Sequence, residues 1–282
     1  MYNITYRRVS YPYLKIIIYQ YVSLFKGVKL IVEIKHIKIS YLQQIMTTII
    51  QDTWTGDDDM ELYQYMDENN IAYQSLSGDE ILKLDANTLD LLFCDTQIYQ
   101  KMVSNYVPPD TYPVCFQKYY HRNIVKMKLS DCLHLEKPYF VKPATNNKVF
   151  NATIVKDEYD IAYLQSENSE DSDIYVSDVV NFVNEYRLFI LNYELYGIVE
   201  SSQYILDAEK IRSQNPPKEF VDEILKINPY KCVVIDIGLL DTGEWAVVEV
   251  NPPFSLSSYD LPIEKYYRYS QNVWYLALMN KL

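Results

Sequence analysis

The amino-acid sequence predicts an α/β fold, and two observations carry that expectation. Over residues 46–114 helical patterns alternate with short apolar strands; beyond them, pairs of apolar runs flank brief polar turns in the manner of β-hairpins. With 282 residues, 49% hydrophobic and 23% charged, the chain has the composition of a globular protein able to bury a substantial core.

After Thr55-Gly56 and three aspartates, residues 60–69 are expected to form a helix. Leu62 and Met66 lie four apart with Tyr63 on the same face, and acids fill the first turn, where they oppose the positive end of the dipole. Asp57–Asp59 are therefore read as a solvated helix start and not as a metal cluster. Residues 71–76 and 89–94 read as strands, and residues 79–84 as a second helix. Pro108, Pro109 and Pro113 punctuate a loop, and a polar, aromatic stretch runs on to Leu135. Residues 139–142 form a strand that stops at Pro143, and residues 166–174 are a polar surface loop.

Several function classes are excluded. The four cysteines (Cys94, Cys115, Cys132, Cys232) have no C-x-x-C spacing and the three histidines form no H-x-x-x-H pair, which argues against a zinc site or disulfide framework and for a reducing compartment. Cys132 and His134 are close in sequence, but ordinary packing is the expectation for them. The 29 tyrosines accompany abundant Ile, Asn and Lys, as in AT-rich coding sequence. Net charge is −12, divided as +6 over residues 1–45 and −18 over the rest, so the acidic body would repel a nucleic-acid duplex. The basic start is read first as an extension without a role, or as sequence upstream of a start at Met46, and second as an arm for a membrane surface or nucleic acid. The apolar run 16–25 is too short to span a bilayer and no cleavage site follows it, so a soluble protein is expected.

Three constellations bear on chemistry. In residues 232–253 two apolar runs flank Asp241-Thr242-Gly243-Glu244, a hairpin with a four-residue loop. With Leu240 opposite Trp245, Asp236 faces Glu249, and the two-residue period puts Asn251 on the face of Glu249. Like charges directly opposite destabilise a sheet, so a cation is expected between them. Oxygen donors without His or Cys suit Mg²⁺ held by few carboxylates and substrate phosphates. The alternative is an exposed face on which both acids are merely solvated. A second hairpin spans residues 184–199, with Glu185 and Arg187 on one face and Tyr186, Leu188 and Ile190 on the other. Arg187 there can neutralise a phosphoryl group or pair with Glu185. Third, Lys142 ends a strand and Lys148 follows across a polar loop, a pair able to cradle phosphates.

The order of these pieces, lysine strand and loop, E-x-R hairpin, Asp, then E-x-N, resembles the ATP-grasp superfamily. The similarity is to its branch with K-P-x-x-x-x-K-x-F and E-x-R motifs, known from bacteria, phages and large viruses, and it covers about residues 115–262. The resemblance implies two α+β subdomains gripping nucleotide within residues 115–282, after a small α/β domain at 46–114 and the basic extension 1–45. It implies an ATP- and Mg²⁺-dependent carboxylate–amine ligase working through an acyl phosphate on a small molecule or peptide, in the cytoplasm (a host's, for a viral protein). A kinase or ATPase on a small molecule, or a non-catalytic nucleotide-binding or interaction protein, are the alternatives. Lys142 and Lys148 would bind phosphates, with Lys148 and Arg187 catalytic. Ser177 and Asp178 would form the hinge against adenine and ribose, Glu185 and Arg122 would face the nucleotide, and Asp236, Glu249 and Asn251 would hold Mg²⁺. Where many such enzymes have a glycine-rich flap, Ala144-Thr145-Asn146-Asn147 has no glycine.

Overall fold

The computed structural model describes residues 47–53, 59–144, 150–167, 169, 171–201 and 214–282. The basic start 1–45, Asp57 and Asp58 and the polar-loop residues 145–149 lie outside them.

The first sheet is parallel. Strands β1 (Thr47–Gln51), β2 (Tyr73–Leu76) and β3 (Leu89–Phe93) run in the order β2-β1-β3. Parallel neighbours need crossovers, and helix α1 (Asp59–Glu68) supplies the first, burying Leu62 and Met66 as their spacing predicts. The central strand β1 has no alternation in its sequence because it is covered on both faces, and it was not foreseen. Helix α2 (Gly78–Ile81) is shorter than the predicted 79–84; the Glu80 carboxylate accepts from the Ser77 backbone N–H at 2.9 Å. Helix α3 (Thr96–Met102) is capped by Asp95, whose carboxylate accepts from Ile98 N at 2.9 Å.

A second, antiparallel sheet has the order β4-β7-β5-β6, from β4 (Ile124–Lys128), β5 (Tyr139–Pro143), β6 (Thr153–Val155) and β7 (Asp173–Ser177). Helices α4 (Leu129–Cys132) and α5 (Glu158–Glu167) cover its apolar face, where Leu129, Cys132, Val141, Phe150, Leu164 and Ile174 share one core. Cys132 is thus a buried packing residue, while His134 is exposed.

The third sheet, β11-β10-β8-β9, is built from β8 (Phe182–Leu191), β9 (Glu194–Glu200), β10 (Cys232–Leu240) and β11 (Trp245–Asn251). One face packs on helix α6 (Lys218–Ile227) through Leu188, Ile190, Ile224, Ile235 and Val247. The other face carries Phe189, Cys232 and Val234 into a core shared with the first sheet and with helix α7 (Ile263–Leu278). On α7 the buried residues Tyr266, Tyr269, Val273 and Ala277 recur at helical spacing. Asp90, in β3, accepts from Gln271 Nε2 at 3.0 Å and from the hydroxyls of Tyr275 and Tyr267 at 2.8 and 3.4 Å; Trp274 Nε1 donates to Leu89 O at 3.2 Å. Among the described residues no helix is long and apolar enough to cross a membrane.

Asp90 therefore ties the C-terminal helix to the first sheet with three side-chain hydrogen bonds. Bonds to a charged group are worth about 1.5 to 3 kcal/mol. Asp90→Ala is expected to lower unfolding stability by about 2 kcal/mol, measured by urea denaturation, and an unaltered midpoint would contradict the tie.

Candidate functional site

Along the second face of the third sheet, side chains change character partway up each strand. On β10, Cys232 and Val234 are core residues; two and four residues on, Asp236 and Gly238 line up on that same face. On β8 the corresponding residues are Phe189, then Arg187 and Glu185. The E-x-R pattern is thus the polar end of an otherwise apolar sheet face.

Asp236 does face Glu249, as the hairpin arithmetic predicts, but by a different route. Leu239, not Leu240, is opposite Trp245, and the ladder runs Gly238 to Ala246 and Ile237 to Val247. A β-bulge then inserts Val248 as an extra residue, after which Asp236 meets Glu249 and Val234 meets Asn251. Two one-residue offsets cancel, and the predicted pair results.

The charges are compensated from two directions. Arg187 donates through Nε to Asp236 Oδ1 and through Nη2 to Oδ2, both at 2.8 Å, a forked pair with both side chains under 10% exposed. Burial works against the guanidinium's charge, but Asp236 more than offsets it and holds Arg187 protonated above its usual range. The Tyr259 ring lies 4.5 Å from the guanidinium. Lys142 reaches across from the second sheet to form an ion pair with Glu249. Asn251 Nδ2 donates to Asp236 Oδ2 at 2.9 Å and to Glu249 Oε1 at 3.2 Å, so one amide touches both carboxylates.

Between the second and third sheets lies a cavity of about 390 Å³, a volume within the usual range for small-molecule sites. Arg122, Lys142, Ser177, Asp178, Glu185 and Glu249 all line it, with apolar walls from Phe140, Ile154, Val180 and Phe182. Six of the residues singled out from sequence are therefore brought together, and Arg187, Asp236 and Asn251 adjoin them through Glu249. Lys148 lies outside the described residues. The Ser177 hydroxyl donates to Asp178 O at 3.0 Å, and Asp178 accepts from the backbone and side-chain amides of Asn123 at 2.9 and 2.8 Å. Arg122 directs its hydrogen bonds to the carbonyls of Tyr120, Val247 and Val248. The apolar walls were not foreseen; the alternation in the 139–143 strand is the signal that would have exposed Phe140. Tyr259, at φ +50° after a segment without periodicity, gave no signal.

Two carboxylates and an amide within mutual contact are donors that fit a hard divalent cation. Among the described residues no group of three or more His, Cys, Asp or Glu converges, so an amide oxygen and ligand oxygens would have to complete such a set. Turning the Asn251 amide over presents Oδ1 to the point where Nδ2 now meets both acids.

Among solved structures, the fold is similar to D-alanine–D-alanine ligase from Bacillus anthracis, with a TM-score of 0.52 and 15% identity over 84% of this chain and 98% of that one. The same enzyme complexed with ATP is similar at a TM-score of 0.52 and 14% identity, with the same coverage. D-cycloserine synthetase DcsG is similar at 0.51 and 9%, over 82% of this chain and 99% of that one. No curated protein matches in sequence. Sheet order and likeness together define an ATP-grasp fold. Residues 119–269 match one family model within that class, and the chain belongs to that family: ATP-grasp domain, R-2K clade family 2.

Two outcomes follow from this geometry. Removing one partner of a buried ion pair strands the other, at a cost of about 3 to 5 kcal/mol. Arg187→Met is expected to lose about that much by chemical denaturation and to regain part of it when Asp236→Leu is added; loss of stability in the double variant equal to or greater than in the single would contradict this. Burial, with the Asp236 carboxylate next, pushes the Glu185 carboxyl up to about 7 against the pull of Arg187, Arg122 and Lys142. The folded protein then holds a proton that the unfolded chain has released. Stability therefore falls as pH rises from about 4.5 to 7, by up to about 3 kcal/mol. Denaturation curves across that window should show the slope, and Glu185→Gln should flatten it.

Proposed function

We propose that this chain is an ATP-dependent carboxylate–amine ligase acting through an acyl phosphate. One observation carries the reading: Lys142 of one sheet meets Glu249 of the other at the edge of a lined cavity, beside the buried Arg187–Asp236 pair and Asn251. A nucleotide placed between the sheets would set its base against the apolar walls near Ser177 and Asp178. Its phosphates would lie toward Lys142 and Lys148, with Glu185 and Arg122 lining its path. The names of two similar structures, a D-alanine–D-alanine ligase and a D-cycloserine synthetase, agree with bond formation as the outcome.

In the proposed reaction a substrate carboxylate oxygen attacks the γ-phosphorus and ADP leaves. An amine nitrogen then attacks the acyl carbon; inorganic phosphate departs with the C–O bonding pair, and the nitrogen loses a proton. Both steps gather negative charge on oxygens in a confined space, where fixed cations act most strongly. Lys142 and Lys148 would neutralise the nucleotide phosphates, and Arg187, held in one orientation by the Asp236 fork, would stabilise the acyl phosphate and the oxyanion that follows it. Mg²⁺, held by Asp236, Glu249 and Asn251, would supply charge neutralisation at the phosphates. The substrates are of a class bearing a carboxylate and an amine, either small molecules or peptides.

ADP release screened against amino acids and short peptides tests the reaction. A ligase releases ADP only with both a carboxylate and an amine present; release with a hydroxyl acceptor alone, or with none, would establish a kinase or ATPase. Glu249→Ala is expected to lower Mg²⁺-dependent turnover at least about 100-fold, as loss of a metal ligand should, and retained turnover would remove the metal assignment.

A further inference from the structure

We propose that Arg122 is a positioning residue: it clamps the β-bulge at Val248 and thereby aims Glu249 into the cavity. The proposal rests on the metal reading above for its consequence, but not for its geometry. If the register near the hairpin turn continued unbroken, Val248 would stand opposite Asp236 and Glu249 opposite Ile235. Ile235 is fully buried in the core beneath α6, so the Glu249 carboxylate would be driven into apolar packing. The bulge prevents this by turning one extra residue out of the ladder, and bulges commonly re-aim a side chain beside an active site.

Arg122 is the group that fixes it. Its Nη2 donates to Val248 O at 2.7 Å and its Nη1 to Val247 O at 3.3 Å, while Nη1 also meets Tyr120 O at 3.2 Å. A planar fork can hold two successive carbonyls in a set orientation, which an ammonium on a flexible stem cannot. The guanidinium is in turn held among the rings of Tyr112, Tyr120 and Phe182, at 5.7, 5.9 and 5.4 Å from their centres. Phe182 has room because Gly238 lacks a Cβ; one added there would lie 2.5 Å from the Phe182 ring and 3.0 Å from Asn184 O. Val250 N, just past the bulge, donates to Thr111 O at 2.9 Å, so residues 111–122 support β11 at both ends of the irregularity.

The full chain is compared with its R122K and R122A variants; R122K keeps the charge and guards against simple loss of the fold. Deuterium uptake over residues 245–251 is measured without nucleotide, Mn²⁺ is titrated in the presence of a non-hydrolysable ATP analogue, and the analogue is titrated in EDTA. Expected in R122K are exchange faster over 245–251 by about tenfold, and Mn²⁺ affinity lower by about 10- to 100-fold, the usual effect of losing a group that orients a ligand. Metal-free analogue affinity should fall by a smaller factor than Mn²⁺ affinity does. Unchanged exchange over 245–251 would overturn the clamp, and so would metal-free affinity falling as far as metal affinity, which would make Arg122 a nucleotide ligand instead. A parent protein that binds no Mn²⁺ with the analogue would sink the metal reading alone, and the exchange measurement would still decide the clamp.

Discussion

Two carboxylates face each other across β10 and β11, and the arrangement of the site answers to their repulsion. Unit charges a few ångströms apart repel by about 4 kcal/mol at an effective dielectric near 20, so Asp236 and Glu249 persist only with compensating charge. Arg187 provides it from the neighbouring strand and Lys142 from another sheet. The compensation is thus divided between a part of the molecule that is buried and fixed and a part that spans the cavity. Asp236, gripped by a fork, is bound to its own sheet; Glu249, met by a lysine, faces the space that separates the two sheets. The Lys142–Glu249 pair is a polar link across that space, and a phosphate or a cation entering there would compete directly with it.

Much of this was legible in the sequence because sheet geometry is periodic. Alternation put Glu185 and Arg187 opposite Tyr186, Leu188 and Ile190, and the structure buries that second set against α6. The Asp236–Glu249 pairing was also legible, although a regular ladder reaches it only because two one-residue offsets cancel. Local pattern could not reveal Val248 as an extra residue, since a bulge within Ala246-Val247-Val248-Glu249-Val250 leaves no mark among similar apolar side chains. Strand β1 escaped for a related reason: covered on both faces, Thr47–Gln51 shows no two-residue period. Helix α7 did carry a signal, in the spacing of Tyr266, Tyr269, Val273 and Ala277, but the density of tyrosine along the chain makes aromatic spacing a poor guide. Contacts that depend on three-dimensional proximity alone, such as Tyr259 over Arg187, had no local trace.

The polar end of the third sheet is held in place by its apolar end. Cys232, Val234 and Phe189 share a core with α7 and the first sheet, while Asp236 and Arg187, one step further on, lie beside the charged lining of the cavity. A residue pair on each strand therefore divides packing from chemistry, and no loop intervenes to blur the geometry. That continuity explains how a buried charge pair is tolerated: the backbone beneath it is fixed by the core, so the fork of Arg187 gives up little freedom in forming.

The segment leaving Asn251 closes the arrangement. Ser255 and Tyr259 both occupy left-handed backbone conformations, at φ +59° and +50°, which cost energy for residues with a Cβ and persist where surroundings impose them. Those surroundings are identifiable. The Ser255 hydroxyl donates to Cys94 O at 2.7 Å at the end of β3, Phe254 stacks on Tyr99 of α3 with ring centres 3.6 Å apart, and Tyr259 lies over Arg187. The chain thus passes from the Asn251 amide to the first sheet and returns to the Arg187 guanidinium within eight residues, before α7 begins its descent along β3. The first sheet contributes none of the charged residues around the cavity, yet together with α3 it anchors the segment that joins Asn251 to the Tyr259 ring over Arg187.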